Sequence, residues 1–248
     1  MVQHRRGRPS KSATGSKPDG ASQKVEQTAV KIPDTVKVST QPNVKITFLH
    51  VGEDLTLPTL MVKSVLKAMP DAQIIQLTDM TTQQVKGVSS VVRKPYNGLL
   101  MTFRMQHLAD LDGEWITLDT DVIVKKDLRS VFDKDFDVAL TKRYGAILDA
   151  DGNDVAKIMP YNTGVMFSRN KIFWKNAYKL LLTMPESAHK WWGDQLSVKL
   201  CAESNKFNLL ELNCDEYNYT PTSESDKKDV FVLHYKGKRK EWMINGSS

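Results

Sequence analysis

From residue 44 onward, short apolar runs of strand length alternate with segments whose apolar residues recur every three or four positions. Strands and helices taking turns in this way specify an α/β sheet. Residues 44–51 read as a first strand ending at Gly52. Pro58 sits where a first helical turn tolerates proline, and Leu60, Met61, Val65, Leu66 and Met69 follow at helical spacing until Pro70 stops them. Residues 73–78 read as a second strand closing on Asp79, 90–93 as a short strand, and 99–111 as a helix presenting Met101, Met105 and Leu108 on one side. Further strands are expected over 114–124, 136–141 and 230–233, and helices over 171–183 and 194–202. Between Tyr144 and Pro160, the turn-forming run Asp149 to Asp154 is read as a β-hairpin, because its glycine and the missing closing Glu do not suit a calcium loop.

With 248 residues, 40% of them apolar and 26% charged, the chain is long enough to bury a core and has the composition of one or two globular domains. No run approaches the roughly 18 consecutive apolar residues of a membrane-spanning helix, and the basic start leads into no apolar signal segment. A soluble, unsecreted protein without a membrane span is therefore expected, in the cytoplasm (a host's cytoplasm for a viral protein, the nucleus as the eukaryotic alternative). Two cysteines, Cys201 and Cys214, are too few for a disulfide framework and read as reduced thiols.

The net charge of +6 is concentrated at the start. The first 44 residues hold eight Lys or Arg against three Asp or Glu, whereas the rest holds 27 against 26. No Leu or aromatic residue occurs before Phe48, so residues 1–43 read as a disordered basic tail and 44–248 as the folded domain. Within the tail, Arg6-Gly7-Arg8-Pro9 resembles the AT-hook, whose two arginines enter the narrow minor groove of AT-rich DNA while glycine lets the backbone lie on its floor. A solubilising or generally polyanion-attracting tail is the alternative.

The chemistry is concentrated in two places. In Trp115-Ile116-Thr117-Leu118-Asp119-Thr120-Asp121-Val122-Ile123-Val124, two carboxylates interrupt an apolar strand. A period of two puts them on one face, about 7 Å apart at about 3.3 Å per residue, where a divalent cation relieves both their desolvation and their repulsion. The alternative is one Asp capping a turn and the other facing solvent. Near the end, His234-Tyr235-Lys236-Gly237-Lys238-Arg239-Lys240 offers an imidazole, then four cations around a glycine that suits close approach to an oxyanion. If this end folds back onto the acidic pair, His234 adds a nitrogen ligand, and mixed oxygen and nitrogen ligation favours Mn²⁺ over Mg²⁺. A basic tail after a strand is the plain alternative.

Together these segments resemble the GT-A glycosyltransferases that use nucleotide-sugar donors, family eight in particular, which includes glycogenin and bacterial lipooligosaccharide galactosyltransferases. Asp119-Thr120-Asp121 looks like the family's D-x-D motif, 234–240 like its H-x-x-G-x-x-K motif, Asn162-Thr163-Gly164 like its N-x-G strand, and Asp194-Gln195 like its D-Q pair. The four occur in the family's order over about 44–243. The resemblance implies a Rossmann-like, mainly parallel sheet flanked by helices. It implies Asp119, Asp121 and His234 as Mn²⁺ ligands, and Gly237 and Lys240 at the donor diphosphate. Asp79 would meet the nucleotide base, and His50 and Val51 would rest near base and ribose. Gly164 would lie beside the donor, and Asn162 and Asp194 would hold sugar hydroxyls, with Gln195 beside them. Arg104 matches a cation reaching the phosphates or sugar; its alternative is a helix-surface charge. Glu241 departs from the proline often found there.

The implied activity is metal-dependent hexose transfer from a UDP-type donor such as UDP-glucose, with retention of configuration. The acceptor is open: modified DNA, suggested by the tail, or a saccharide, lipopolysaccharide or protein. A nucleic-acid-binding protein on a degenerate transferase scaffold is the alternative class. Trp191 and Trp192 either stack on an acceptor ring or pack in the core. Lys142 and Arg143 read as solvated surface, the alternative being contact with a polyanionic acceptor.

Overall fold

The computed structural model describes residues 44–147, 152–226 and 228–246. The tail, with Arg6, Gly7, Arg8 and Pro9, lies outside them, as do 148–151. In chain order the strands are β1 (Lys45–Leu49), β2 (Gln73–Thr78), β3 (Ser90–Arg93), β4 (Trp115–Leu118), β5 (Val122–Val124), β6 (Val138–Lys142), β7 (Tyr161–Ser168), β8 (Leu209–Asn213) and β9 (Val232–His234). The helices are α1 (Thr56–Ala68), α2 (Leu100–Asp110), α3 (Val155–Ile158), α4 (Lys171–Leu182), α5 (Glu186–Lys190), α6 (Gly193–Ala202), α7 (Cys214–Tyr217) and α8 (Lys240–Asn245).

The main sheet has the order β3-β2-β1-β4-β7-β6-β8. β1 pairs in parallel with β2 and β4, and β2 with β3. β7 runs antiparallel to both β4 and β6, and β6 is parallel to β8. Two antiparallel steps restore direction, so β7 alone opposes the rest, and six carboxyl ends share one edge with the start of β7. The chain builds outward from β1 through β2 and β3, then returns to place β4 on the other side of β1. That reversal is a topological switch point, where open α/β sheets leave a crevice at their carboxyl ends.

Alternation along the strands builds two cores. Ile46, Phe48, Ile116, Leu118, Val165 and Phe167 join Met61, Val62 and Val65 of α1 on one face. Leu77, Trp115, Val138, Leu140 and Met166 join Met101, Met105 and Leu108 of α2 and Phe173, Trp174 and Leu181 of α4 on the other. Burying side chains of this size contributes about 1.5–3 kcal/mol each. Thr47 and Thr117, buried on adjacent strands, satisfy each other at 2.8 Å. Cys201 and Cys214 are both free, and no helix among the described residues is long and apolar enough to cross a membrane.

One expected element differs. The strand over 114–124 breaks after Leu118: β4 stays in the main sheet, while β5 leaves it and pairs antiparallel with β9, Val122 opposite His234. Asp119, Thr120 and Asp121 are the connection, so the two carboxylates converge through a turn and not through a strand's period of two. Of the expected hairpin, residues 148–151 lie outside the described residues; the Val155 N–H donates to the Ile147 carbonyl at 2.7 Å across them, and the helical turn α3 follows, capped by Asp154, whose carboxylate accepts from the Ala156 N–H at 3.0 Å.

Candidate metal and donor site

Backbone pairing assembles the site. The Asp119 N–H donates to the Gly164 carbonyl at 2.9 Å, fixing the end of β4 to β7, and the Tyr235 N–H donates to the Asp121 carbonyl at 2.8 Å, fixing β9 to the turn. The C-terminal imidazole thereby reaches the acidic pair: His234 Nε2 lies 3.1 Å from Asp121 Oδ1 and 3.6 Å from Asp119 Oδ2. One ligand atom from each of the three residues lies within 4.8 Å of the other two.

Each carboxylate divides its oxygens. Asp119 Oδ1 accepts from Arg104 at 2.8 Å, leaving Oδ2 toward the imidazole, and Asp121 Oδ2 faces Lys240 Nζ at 3.3 Å, leaving Oδ1 toward the imidazole. Burial pushes the Asp119 carboxyl up, against the pull of Arg104 and His234. Burial also opposes ionisation of Asp121, but its bonds to His234 and Lys240 prevail and hold it below the usual carboxylate range.

The imidazole's tautomer follows from its other nitrogen. His234 Nδ1 lies 2.7 Å from Asn218 Oδ1, and the Asn218 amide donates to Thr141 Oγ1 and to the Asn162 carbonyl. The amide oxygen therefore accepts, Nδ1 carries a hydrogen, and Nε2 is the ring atom turned toward the two carboxylate oxygens, the nitrogen left to bind a cation. Three acceptors directed at one point are stable around a cation, and this donor set of two oxygens and one nitrogen suits Mn²⁺ or another divalent ion. Asn218 was not legible in the sequence, because a lone Asn between two tyrosines carries no motif.

Gly164 is required by close approach. A β-carbon there would stand 2.3 Å from His234 Cε1 and 3.1 Å from Asp119 Oδ2. Gly237 has φ +59, the left-handed region that glycine enters readily.

Arg104 is 8% exposed, so the helix-surface alternative does not hold. Its guanidinium bridges Asp119 and Asp194, each at 2.8 Å, and donates to both the hydroxyl and the carbonyl of Thr163. Burial alone would lower its pKa, but the two carboxylates raise it above its ordinary value. Asp194 Oδ2 accepts from Arg104 and Thr163, while Oδ1 is buried without a partner among the described residues.

These groups line a cavity of about 460 Å³ at the carboxyl edge of the sheet, within the size range of small-molecule sites. Its wall includes His50 and Val51 after β1, Arg104, Asp119, Asp121, Asn162, Asp194, Gln195, His234, Gly237 and Lys240. Trp191, 75% exposed, stands at its border, whereas Trp192 packs partly against the core. Asp79 is not among the lining residues. Its carboxylate accepts from Thr81 and Thr82 in the turn after β2, bonds that hold its pKa at about 2.

Arg143 is not solvated surface. It donates to the carbonyls of Met159 and Tyr161 and, at 2.8 Å, to Gln195 Oε1. Lys142 pairs with Glu211 at 2.7 Å.

No family model matches this sequence, and no curated protein is similar to it by sequence. Solved structures do match. The galactosyltransferase LgtC in complex with donor and acceptor sugar analogs is 15% identical, with TM-score 0.50, covering 82% of this chain and 96% of that one. The glycosyltransferase GlyE of Streptococcus pneumoniae TIGR4, in its apo form, is 16% identical, with TM-score 0.54, covering 82% of this chain and 63% of that one. The bifunctional glycosyltransferase WbbM is 12% identical, with TM-score 0.50, and this chain spans 49% of its length. The chain shares the mainly parallel, helix-flanked GT-A fold of these glycosyltransferases.

Proposed function

We propose that the chain is a metal-dependent, family-eight-like glycosyltransferase that moves a hexose from a UDP-type nucleotide sugar. The observation that carries this reading is the convergence of Asp119, Asp121 and His234 Nε2 at the switch point of a GT-A sheet. The chain's similarity to LgtC, solved with donor and acceptor sugar analogs, supports a sugar-nucleotide donor. A divalent ion held by these three residues, Mn²⁺ preferred, supplies Lewis-acid stabilisation of the departing diphosphate.

The chain's own residues do the rest. Lys240 and the Gly237 backbone stand where the diphosphate's charge is met, and Lys240 exchanges its contact with Asp121 for phosphate oxygens. Arg104 bonds to both Asp119 and Asp194 and so orients the two carboxylates. Asp194 and Asn162 line the space for the sugar, and the oxygens of their side chains favour its developing positive charge. In the transfer, the bond from the anomeric carbon to the diphosphate oxygen breaks with its electron pair leaving on the diphosphate. A bond to the acceptor hydroxyl oxygen forms on the same face, and that hydroxyl's proton passes to the leaving phosphate oxygen. Gln195 adjoins this space and is held by Arg143. Asp79 stays with its turn contacts to Thr81 and Thr82 and is given no part in the transfer.

The test is a donor panel. With Mn²⁺, UDP-glucose or UDP-galactose should raise the melting temperature and release UDP, and neither should do so in EDTA. No stabilisation or turnover with any nucleotide sugar contradicts the assignment and favours a binding protein on this scaffold. Offering hydroxymethylated DNA, plain DNA and oligosaccharides as acceptors decides the acceptor class, and salt-dependent binding of the full chain to AT-rich duplex decides the role of Arg6 to Pro9.

A further inference from the structure

Beside the large cavity lies a second one of about 120 Å³, bordered by Arg143, Tyr144, Ile147, Cys214, Tyr219 and Lys236 among others. It sits past the carboxyl ends of β6 and β8, which Arg143 and Cys214 follow, on the side of β4 away from β1 and β2. Arg143 and Lys236 line both cavities and so form the partition between them.

Neither cation makes a salt bridge among the described residues. All of Arg143's side-chain bonds go to neutral oxygens, and the Lys236 ammonium donates no hydrogen bond there. Asp215, the acidic residue bordering the smaller cavity, is exposed and makes no salt bridge either. Asp119 and Asp121 act on Lys236, and Asp194 on Arg143, only from beyond contact, and half-buried cations with no carboxylate in contact cost free energy that an anionic ligand recovers. We infer that Arg143 and Lys236 form an anion subsite for the acceptor, which carries a phosphoryl group close to the hydroxyl that receives the sugar. The inference rests on the large cavity being the donor site. Two adjacent cations match a phosphoryl group's one or two charges better than a carboxylate's single one. The exposed Tyr144 and Ile147 on the rim, 57% and 45% accessible, give the body of the acceptor an apolar surface to lie on.

The experiment uses the full chain saturated with Mn²⁺ and UDP, titrated calorimetrically with inorganic phosphate and, in parallel, with acetate. Phosphate should bind the loaded protein, and its affinity should fall at least about tenfold in Lys236→Gln. Arg143→Lys, which keeps the charge, should retain more of it than Arg143→Gln. No phosphate binding to the loaded protein, equal affinity in Lys236→Gln, or acetate binding as tightly as phosphate overturns the inference. So does competition between UDP and phosphate, which would assign both cations to the donor. If UDP with Mn²⁺ does not bind at all, the donor reading fails and the acceptor role with it, while the anion site is still decided by titrating the unloaded chain. Glucose 6-phosphate and a thymidine dinucleotide then separate a monoester acceptor from a nucleic-acid phosphodiester. Lys236-independent binding of both contradicts a phosphorylated acceptor.

Discussion

The imidazole of His234 occupies the space that any side chain at Gly164 would need, with its Cε1 2.3 Å from where a β-carbon would stand. The N-x-G strand is therefore a packing requirement of the Asp119, Asp121 and His234 cluster. Gly164→Ala should push the ring off the acidic pair, costing about 1–3 kcal/mol of stability by overpacking. Mn²⁺ affinity, measured by titration, should fall by about a hundredfold, an effect of similar size. Unchanged Mn²⁺ affinity in a folded Gly164→Ala protein contradicts this geometry.

Asn218 sets the proton on His234 from behind. Replacing it with leucine removes the acceptor for Nδ1–H and leaves the ring free to rotate or change tautomer. Such supporting contacts are typically worth about 10–100-fold in metal affinity. Asn218→Leu should show a loss of that order, with donor turnover recovering at high Mn²⁺ concentration. A turnover defect that no Mn²⁺ concentration relieves would mean the role is not ligand positioning.

How much of this was legible in the sequence depends on how local the signal is. Gln73–Thr78 and Ser90–Arg93 are strands where expected, and α2, α4 and α6 follow their apolar spacing within a residue or two, because each pattern records burial against one sheet face. The departure of β5 from the sheet was not legible. Val122-Ile123-Val124 is as apolar as the strand it leaves, and the partner that claims it, β9, comes from the far end of the chain. Asp154 served the turn reading and the helix cap equally well, since the same carboxylate suits both. Asp119, Asp121 and His234, which the structure brings together, were legible as residue types in order. Arg104's bridge from Asp119 to Asp194, Arg143's contact with Gln195 and the role of Asn218 were not, because each is a side-chain meeting of residues far apart in sequence.

His107 gives the fold a pH dependence separate from the site. It is 1% exposed, its Nε2 has no partner among the described residues, and burial lowers its pKa from 6.5 to about 4. The unfolded chain thus takes up a proton before the folded one does. The contribution is fully present above pH 6.5 and is lost as pH falls through about 4. At about 1.4 kcal/mol per pH unit, the cost between pH 7 and pH 5 is about 2 kcal/mol. Urea unfolding of wild type and His107→Leu at both pH values should show the variant losing less by about that amount. Equal losses contradict a neutral buried ring.

Trp191 is exposed at the border of the large cavity and offers a stacking face to an acceptor. Stacking on an aromatic side chain is worth about 1–3 kcal/mol per ring. Trp191→Ala should raise the acceptor KM about tenfold while the donor KM stays within about twofold. A shift in the donor KM alone would move Trp191 to the nucleotide.

The proposed transferase depends on Asp119, Asp121 and His234 jointly holding one divalent ion that a nucleotide diphosphate then shares. Electron paramagnetic resonance of Mn²⁺, titrated with protein in the presence and absence of UDP, tests it most directly. One bound ion per chain is expected, tightened by UDP, with at least about tenfold weaker binding in each of Asp119→Asn, Asp121→Asn and His234→Ala. Mn²⁺ binding that is indifferent to UDP and survives all three substitutions would contradict it.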